Sequence, residues 1–440
     1  MRAAELPGIL RGRDFRRLYA TRLASQLTDG VFQVALAGYV FFSPERQTTA
    51  AQAAAAFAVT LLPYSALGPF AGVFIDRWQR RQILLWTPIL RALLVLAVAG
   101  LVAAGRDGPG FFIGVLTVLG VNRFFLAALS AALPHVVRRD HLVTANAFSV
   151  TSGTIIAFLG GGAGYLLRRV FGTGNHGTAL ILVAAAGLFL AAGVIATTLP
   201  RRLLGPHPPE GALAGGIAAG PESPRLRESL GTVVDGLVDG ARHIARRPQA
   251  ALALGAISFH RFLYGIVLIM TLLLCRNHFA DDPDTGLETF AIMLGVSGAG
   301  YFTAALVTPP VVRRISKQAW VAWLLGAAAL SLLAFGMPFA ERPWAAGAFV
   351  LGVVSQGVKL CVDTTLQETI EDAYRGRVFA VYDMLFNAMF AASAAAAATW
   401  LPSDGRAGLT LLAVIAAYAA GAVVYRTATA RHRHPAHALR

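Results

Sequence analysis

Long apolar runs alternate along the chain with short segments in which charged and turn-forming residues concentrate. A helix that crosses a bilayer needs about 20 predominantly apolar residues, and twelve runs meet that length. We predict a membrane-spanning helix in each run, at approximately 17 to 42, 51 to 75, 82 to 104, 110 to 135, 144 to 170, 178 to 199, 250 to 274, 287 to 312, 318 to 340, 344 to 366, 378 to 401 and 407 to 426.

A polar segment near the middle separates the first six predicted spans from the last six. Its first part, GPHPPEGALAGGIAAGPESP, is rich in Pro and Gly and is typical of a flexible linker. Its second part repeats apolar residues at helical spacing, which predicts an amphipathic helix on the cytoplasmic membrane surface or against the protein. We expect an N-terminal six-helix half at 1 to 200, a cytoplasmic linker at 201 to 249 and a C-terminal six-helix half at 250 to 440.

The composition of the 440-residue chain agrees with a membrane location, since 56% of its residues are hydrophobic and 14% are charged. The net charge of +15 comes from basic residues that cluster at the ends of apolar runs, where they can meet anionic lipid headgroups. We therefore expect membrane lipids and no nucleic acid as partners. Cys275 and Cys361 lack the spacing of metal ligands, and we predict no metal, no cofactor and no disulfide framework.

The distribution of Lys and Arg predicts the orientation of the spans. With both termini in the cytoplasm, the inside segments carry 26 of these residues and the outside loops carry 7. Basic residues favour the cytoplasmic side, so this orientation is preferred. The basic N-terminus leads into a full-length span and not into a short cleavable signal, so we expect the first span to stay in the membrane.

The segment GVFIDRWQRR, residues 72 to 81, follows the second predicted span. It resembles the signature loop between spans two and three of the major facilitator superfamily, which combines a Gly, an Asp-Arg pair and further basic residues. The matching residues here are Gly72, Asp76, Arg77, Arg80 and Arg81. Other stretches, among them RDFRRLYATRLASQLTDGVFQVAL in span one, LVTANAF in span five and RGRVFAVYD entering span eleven, resemble the branch that contains bacterial drug and siderophore exporters.

This resemblance implies an all-α integral membrane fold with twelve transmembrane helices in two six-helix halves, the major facilitator fold. In the family, the signature loop contacts the other half, keeps the cytoplasmic side closed and releases it when the protein opens inward. A carboxylate such as Asp76 suits the N-terminus of a helix, and RGRVF supplies one. We expect the matching residues of the segment, Asp76 and Arg77 with Gly72, Arg80 and Arg81, to form a cytoplasmic gate with Gly376 and Arg377.

Ionisable residues inside predicted spans indicate a functional or structural role, because burying each near the centre of a membrane helix costs about 2.5 to 3.5 kcal/mol. Asp29 lies about twelve residues into the first span, and Arg22, seven residues earlier, lies near the same helix face. We predict that Asp29 titrates protons or faces a cation. The alternative is a permanent pair between Asp29 and an arginine of a neighbouring helix.

Charged residues also occur in the fourth and tenth spans. Arg123, near the middle of span four, is a candidate counter-ion for Asp29 or for an anionic substrate, and a fixed structural pair is the alternative. Lys359 and Asp363 stand at i and i+4 and can pair on one helix face. That pair is either structural or able to open for a proton or a charged ligand.

The seventh span carries His260 and Arg261, which could bind anions or could reach water from the cytoplasmic end. Aromatic residues such as Phe386 and Phe390 could line an apolar pocket, although lipid-facing positions are the default for each.

The run GGGAG at 160 to 164 places Gly160, Gly162 and Gly164 on a small-residue face. It loosely resembles an antiporter motif of the superfamily, but close helix packing is the preferred interpretation.

The leading functional hypothesis is a secondary active transporter in the bacterial inner membrane, a monomer that exports a small amphipathic or hydrophobic compound in exchange for protons by alternating access. Proton-coupled uptake, or facilitated movement of a lipid-like substrate, is the alternative among transporters. An integral membrane lipid enzyme and a sensor that does not transport are alternatives of other classes. No H-E-x-x-H, G-x-S-x-G or P-loop sequence is present, which disfavours an enzyme.

Overall fold

A computed structural model describes residues 6–42, 79–106, 108–138, 141–200, 204 and 226–431, and most of them are helical. The helices, numbered in chain order, are α1 (Leu6–Arg11), α2 (Arg13–Phe41), α3 (Arg80–Ala103), α4 (Pro109–Ala132), α5 (Leu142–Phe171), α6 (Asn175–Thr197), α7 (Leu226–Ala245), α8 (Pro248–Asn277), α9 (Pro283–Val312), α10 (Lys317–Ser331), α11 (Glu341–Thr369), α12 (Asp372–Trp400) and α13 (Gly408–Arg431). A 3-10 turn at Leu133–His135 extends α4, and a π-helical turn at Leu332–Gly336 extends α10.

Ten helices within the described residues are long and apolar enough to cross a membrane. They correspond to predicted spans three to twelve, and their ends lie within a few residues of the predicted ends. The first predicted span is helix α2, which is less apolar because it carries several charged and polar side chains. The second predicted span, 51 to 75, lies outside the described residues. The expectation of an all-α membrane protein is confirmed.

Internal contacts divide the chain into two compact units, which meet in sequence between Val233 and Val234. In the first unit, α2 packs along α5 and α3 packs along α6. In the second unit, α9 packs along α11, α10 along α13, and α8 along α12. The predicted bounds of the linker, 201 to 249, stay a prediction, because most of its first part lies outside the described residues.

Glycines allow the backbones of α2 and α5 to touch. An ideal Cβ on Gly30 would lie 1.9 Å from the carbonyl oxygen of Ala157, and one on Gly160 would lie 2.0 Å from that of Leu27. No real side chain fits in either gap. Gly164, one turn after Gly160, also faces α2. Close approach of this kind is how helices associate in lipid, where burial of apolar surface gives little driving force.

The expectation that Gly162 belongs to the same packing face is wrong. A Cβ on Gly162 would meet no atom within 4 Å. The reason is helical geometry: residues four apart share a face, whereas residues two apart point in nearly opposite directions. The glycine run therefore packs α5 against α2 through Gly160, Gly161 and Gly164.

The second unit uses small residues in the same way. A Cβ on Gly265 of α8 would lie 1.9 Å from Ser393 Oγ of α12. Gly300 of α9 and Gly352 of α11 lie in the same kind of contact, each against the backbone of the other helix. Both units thus rely on backbone contact between a few helix pairs.

Helix α7, the predicted amphipathic helix of the linker, packs on the start of α12. Arg377 Nη1 donates to Asp239 Oδ2 at 2.5 Å, and the rings of His243 and Tyr374 stack with their centroids 4.1 Å apart. A Cβ on Gly240 would come within 3.1 Å of the Arg377 backbone. An exposed ion pair contributes about 0 to 1 kcal/mol, so the stacked rings and the close fit at Gly240 account for most of the docking.

Of the two placements predicted for this helix, the packing against the protein is found for its C-terminal part. Val234 and Val238 nevertheless remain exposed on its other side.

We expect Gly160→Ala to destabilise the protein by about 1 to 3 kcal/mol, because its new methyl group would enter the α2 backbone. Gly162→Ala is the matched control on the same helix, and it should be neutral or stabilising, since Ala favours a helix over Gly by up to about 1 kcal/mol. Thermal unfolding of the purified full chain in one detergent measures both changes. Equal melting temperatures for the two variants would contradict the packing described above.

We expect Gly240→Val to loosen α7 from α12, because the added side chain would collide with the Arg377 backbone. Gly231→Val, in the same helix at a position with open space around it, is the control. Amide hydrogen exchange across residues 236 to 245 should accelerate in the first variant and stay unchanged in the second. Unchanged exchange in both variants would show that the Gly240 contact does not hold the helix in place.

Candidate functional site

Asp29 lies in the middle of α2, sixteen residues after the helix begins at Arg13. This distance corresponds to roughly 24 Å along the helix axis. The side chain is buried, with 6% of its surface exposed. A carboxylate at this depth cannot reach water along its own helix, so it needs a partner from a neighbouring one.

That partner is Arg91 of α3. Arg91 donates a hydrogen bond from Nη2 to Asp29 Oδ1, and the arginine side chain is completely buried. Its second terminal nitrogen, Nη1, donates to Asn122 Oδ1 of α4 at 3.1 Å and to Ser25 Oγ of α2 at 3.3 Å. We call Ser25, Asp29, Arg91 and Asn122 the buried ion-pair network.

An aromatic ring completes the surroundings of this network. The guanidinium carbon of Arg91 lies 3.9 Å from the ring centroid of Phe189 on α6, a distance typical of a cation–π contact. Arg91 therefore connects α2, α3, α4 and α6. Among the described residues, Asp29 Oδ2 and Arg91 Nε have no hydrogen-bond partner, so one carboxylate oxygen remains open to a proton.

The structure pairs Asp29 with an arginine of a neighbouring helix, and the predicted role of Asp29 in proton exchange stays a prediction. The arginine is Arg91 and not the predicted candidate Arg123, which is half-buried and follows Asn122 in the chain. Sequence analysis missed Arg91, although one signal was present: it is the single charged residue in the predicted span 82 to 104. The predicted role of Arg123 toward a substrate stays a prediction.

Arg22 shares helix α2 with Asp29 but contacts other residues. It is half-buried, and its Nε would lie 3.0 Å from a Cβ placed on Gly153 of α5. Together with Tyr19 and Ser149, Arg22 lines a small cavity of about 10 Å³. Arg22 and Asp29 thus belong to separate environments.

The arrangement around Arg91 can tolerate a change in the charge of Asp29. Removing one member of a buried ion pair usually costs about 3 to 5 kcal/mol, because the remaining charge is left without compensation. If Asp29 is neutralised, however, Arg91 keeps its hydrogen bonds to Ser25 and Asn122 and its contact with Phe189. If Arg91 is removed, the described residues offer Asp29 no other cation.

In the second unit, Lys359 and Asp363 of α11 form the predicted i, i+4 pair, with Nζ and Oδ2 at 2.6 Å. The pair is half-exposed, and Lys359 Nζ also lies 5.6 Å from the ring centroid of Tyr382 on α12. The pairing is therefore found, and its role toward a proton or a ligand stays a prediction.

His260 and Arg261 lie near the middle of α8, which runs from Pro248 to Asn277. For His260, the alternative of reaching water from the end of the span does not hold. His260 is completely buried, and its Nδ1 is hydrogen-bonded with the Tyr418 hydroxyl of α13 at 3.1 Å.

Arg261 contacts aromatic rings. Its guanidinium carbon lies 4.0 Å from the ring centroid of Phe386 and 4.6 Å from that of Phe390, both on α12. Each cation–π contact contributes about 0.5 to 2 kcal/mol, so these contacts offset part or all of the cost of an arginine near the centre of a membrane helix, about 2.5 to 3.5 kcal/mol, but they supply no opposite charge. Phe390 is buried, so the default lipid-facing position predicted for it is wrong.

Three of the predicted gate residues, Gly72, Asp76 and Arg77, lie outside the described residues. The last two basic residues of the signature segment bind within their own unit. Arg81 donates to the carbonyl oxygens of Leu199 at 2.6 Å and Thr197 at 3.2 Å, at the C-terminal end of α6. Such a cation stabilises the unpaired carbonyls at a helix end.

Arg80 donates to the Leu204 carbonyl oxygen at 3.0 Å and lies 3.1 Å from His135 Nε2. On the other side of the predicted gate, Gly376 lies in the first turns of α12, and Arg377 is paired with Asp239 of α7. A gating role for these residues remains a prediction.

No group of three or more His, Cys, Asp and Glu side chains that could hold a metal occurs in the described part of the chain.

Comparison with known proteins identifies the family. The family model described as Major Facilitator Superfamily matches residues 19–394. An uncharacterized MFS-type transporter of Mycobacterium tuberculosis is 37% identical over 412 residues, which cover 94% of this chain and 90% of the relative. Macrolide efflux protein A of Streptococcus pyogenes is 24% identical over 188 residues, covering 41% of this chain and 44% of that protein.

Solved structures agree in fold. The crystal structure of nucleoside transporter NupG has a TM-score of 0.62 at 14% identity, covering 95% of this chain and 99% of that one. An auto-inhibited peptide transporter of the POT family has a TM-score of 0.65 at 13% identity, covering 97% and 99%. The relatives are transporters, so this multi-pass membrane protein is a transporter of a small-molecule substrate and not an enzyme. The chain belongs to the Major Facilitator Superfamily.

Proposed function

We propose that this transporter exports a small amphipathic or hydrophobic compound across the bacterial plasma membrane in exchange for protons, by alternating access. The observation that carries the proposal is Asp29, a carboxylate buried in the middle of a membrane helix. Ionisable side chains at such depth mark proton relays and ligand sites. Exporter function is supported by the similarity to a macrolide efflux protein over part of the chain.

The surroundings of Asp29 are compatible with both of its protonation states. While Asp29 is charged, Arg91 balances it. When Asp29 takes up a proton at its free oxygen, Arg91 remains bound to Ser25 and Asn122. Asp29 can therefore take up or release a proton while the guanidinium of Arg91 keeps hydrogen-bond partners. Arg123, Arg22, Lys359 and Asp363 remain candidates for the substrate side of the cycle.

The orientation of the chain identifies the cytoplasmic side of the transporter. We propose that both termini are cytoplasmic, in agreement with the excess of Lys and Arg in the predicted inside segments. In this orientation Asp76 and Arg77 lie at the cytoplasmic end of span two and act with Gly376 and Arg377 as a gate. We propose a monomer surrounded by membrane lipids. Proton-coupled uptake, or facilitated movement of a lipid-like compound, is the competing function, and the direction of flux separates them.

We expect substrate-dependent proton movement in proteoliposomes that contain the wild-type protein and a pH-sensitive dye. A panel of amphipathic compounds, including a macrolide, serves as candidate substrates. In Asp29→Asn the proton flux should fall to background while substrate binding persists, because an amide cannot take up the proton.

Asp281→Asn is the matched control, since Asp281 is an exposed carboxylate in the loop between α8 and α9. It should transport as the wild type does. Substrate flux without proton movement in both the wild type and Asp29→Asn would refute coupling and indicate a facilitator. Proton-driven accumulation of the substrate on the side that corresponds to the cytoplasm would favour uptake.

We expect the two members of the ion pair to differ in what their loss costs. Arg91→Gln leaves the Asp29 carboxylate without a cation and should destabilise the protein by about 3 to 5 kcal/mol. Asp29→Asn should cost less, because Arg91 keeps three other contacts. The double variant should be more stable than Arg91→Gln alone. Thermal unfolding of the four proteins forms a double-mutant cycle, and strictly additive losses would show that the two charges do not interact.

A further inference from the structure

Arg261 is a charged residue near the middle of a membrane helix that lacks a carboxylate partner among the described residues. The contacts of its guanidinium are those with aromatic rings. Its Nε is buried and has no hydrogen-bond partner within the described ranges. This differs from Arg91, whose charge is balanced by Asp29. An uncompensated cation at membrane depth indicates a site for an anion that arrives from outside the protein.

Helix α12 presents a row of aromatic side chains to this cation. Tyr382, Phe386 and Phe390 are spaced four residues apart and therefore share one helix face. The ring centroids of Tyr382 and Phe386 are 5.9 Å apart, and Arg261 lies over Phe386 and Phe390. Tyr264, one turn after Arg261 on α8, adds a ring 5.7 Å from the guanidinium carbon. The cation thus sits on an apolar aromatic surface.

Charged side chains of both signs surround this surface. Lys359 Nζ lies 5.6 Å from the Tyr382 ring centroid, so it belongs to the same neighbourhood as Arg261. Asp363 forms an ion pair with Lys359, and Asp383 also acts on Tyr382, but no carboxylate among the described residues pairs with Arg261. The Tyr382 hydroxyl is buried beside Asp363 without a hydrogen bond of ordinary geometry. We call Arg261, Lys359, Asp363, Tyr382 and Phe386 the cationic cluster.

We infer that the cationic cluster binds the anionic group of an organic anion, with Arg261 as its principal ligand and the aromatic row of α12 against its apolar part. A guanidinium pairs well with carboxylate and phosphate oxygens because its donors match their geometry. Arg261 Nε has no hydrogen-bond partner among the described residues and is a donor for such oxygens. Arg261 and Lys359 are both partly exposed, so a ligand can reach them. This inference rests on the proposed transport of an amphipathic compound and specifies its charge.

The test compares two probes of nearly equal shape, 2-naphthylacetate and its neutral amide, 2-naphthylacetamide. Their binding to the purified full chain in nanodiscs is measured by calorimetric titration. The wild type should bind the acid roughly tenfold or more tightly than the amide. Arg261→Gln should abolish this preference. Arg261→Lys should retain part of it, because the charge is kept and the forked donor geometry is lost.

Arg314→Gln is the matched control in the same unit, since Arg314 is exposed at the end of α9. This variant removes one positive charge at a position outside the cationic cluster, and it should leave the preference for the acid over the amide unchanged. Thermal unfolding without ligand shows whether each variant is folded.

Equal affinity for acid and amide in the wild type, absence of acid binding, or an acid preference that survives Arg261→Gln would overturn the inference. The outcome is separable from that of the proposed proton coupling. Asp29→Asn should keep the acid preference while it loses proton flux. Transport of neutral or cationic compounds with full proton coupling would leave the proposed function intact and refute the anion site.

Discussion

A carboxylate and a guanidinium that cannot reach water organise the N-terminal unit. Asp29 and Arg91 are each too costly to leave alone at membrane depth, so the helices that carry them must meet where the two side chains do. Ser25 and Asn122 accept hydrogen bonds from Nη1 of Arg91, and the ring of Phe189 covers the face of the guanidinium. The contacts of this one buried arginine thus connect four helices.

Close backbone contact complements this polar network. Lipid provides little hydrophobic force to hold helices together, so packing and hydrogen bonding carry more of the stability than in water. Gly30 and Gly160 bring α2 against α5, one residue away from Asp29 along α2. The same helix therefore carries the ion pair on one side and the tightest packing on another. A rigid position for Asp29 is the consequence, which suits a group whose protonation is proposed to control transport.

The two units treat their central arginines differently. Arg91 is neutralised within the first unit, whereas Arg261 in the second unit rests on aromatic rings without a carboxylate among the described residues. Under the proposed function, the first unit handles the proton and the second holds the charged part of the substrate. This division would place proton coupling and substrate recognition in different units, so that a substitution can abolish one and leave the other intact. Helix α7 adds a third element, since it packs on the start of α12, the helix that carries the aromatic row.

The amino-acid sequence alone determined the membrane helices, because the length of an apolar run must match the thickness of a bilayer. It also determined the Lys359–Asp363 pair and the helix of the linker, since both depend on spacing within one helix. Only the tertiary structure decided that Asp29 pairs with Arg91, that Gly162 faces away from α2, and that Arg261 meets Phe386 and Phe390. Each of these depends on which helices are neighbours and on how each is rotated about its axis. Apolar composition constrains neither, because in lipid every face of a helix can be apolar.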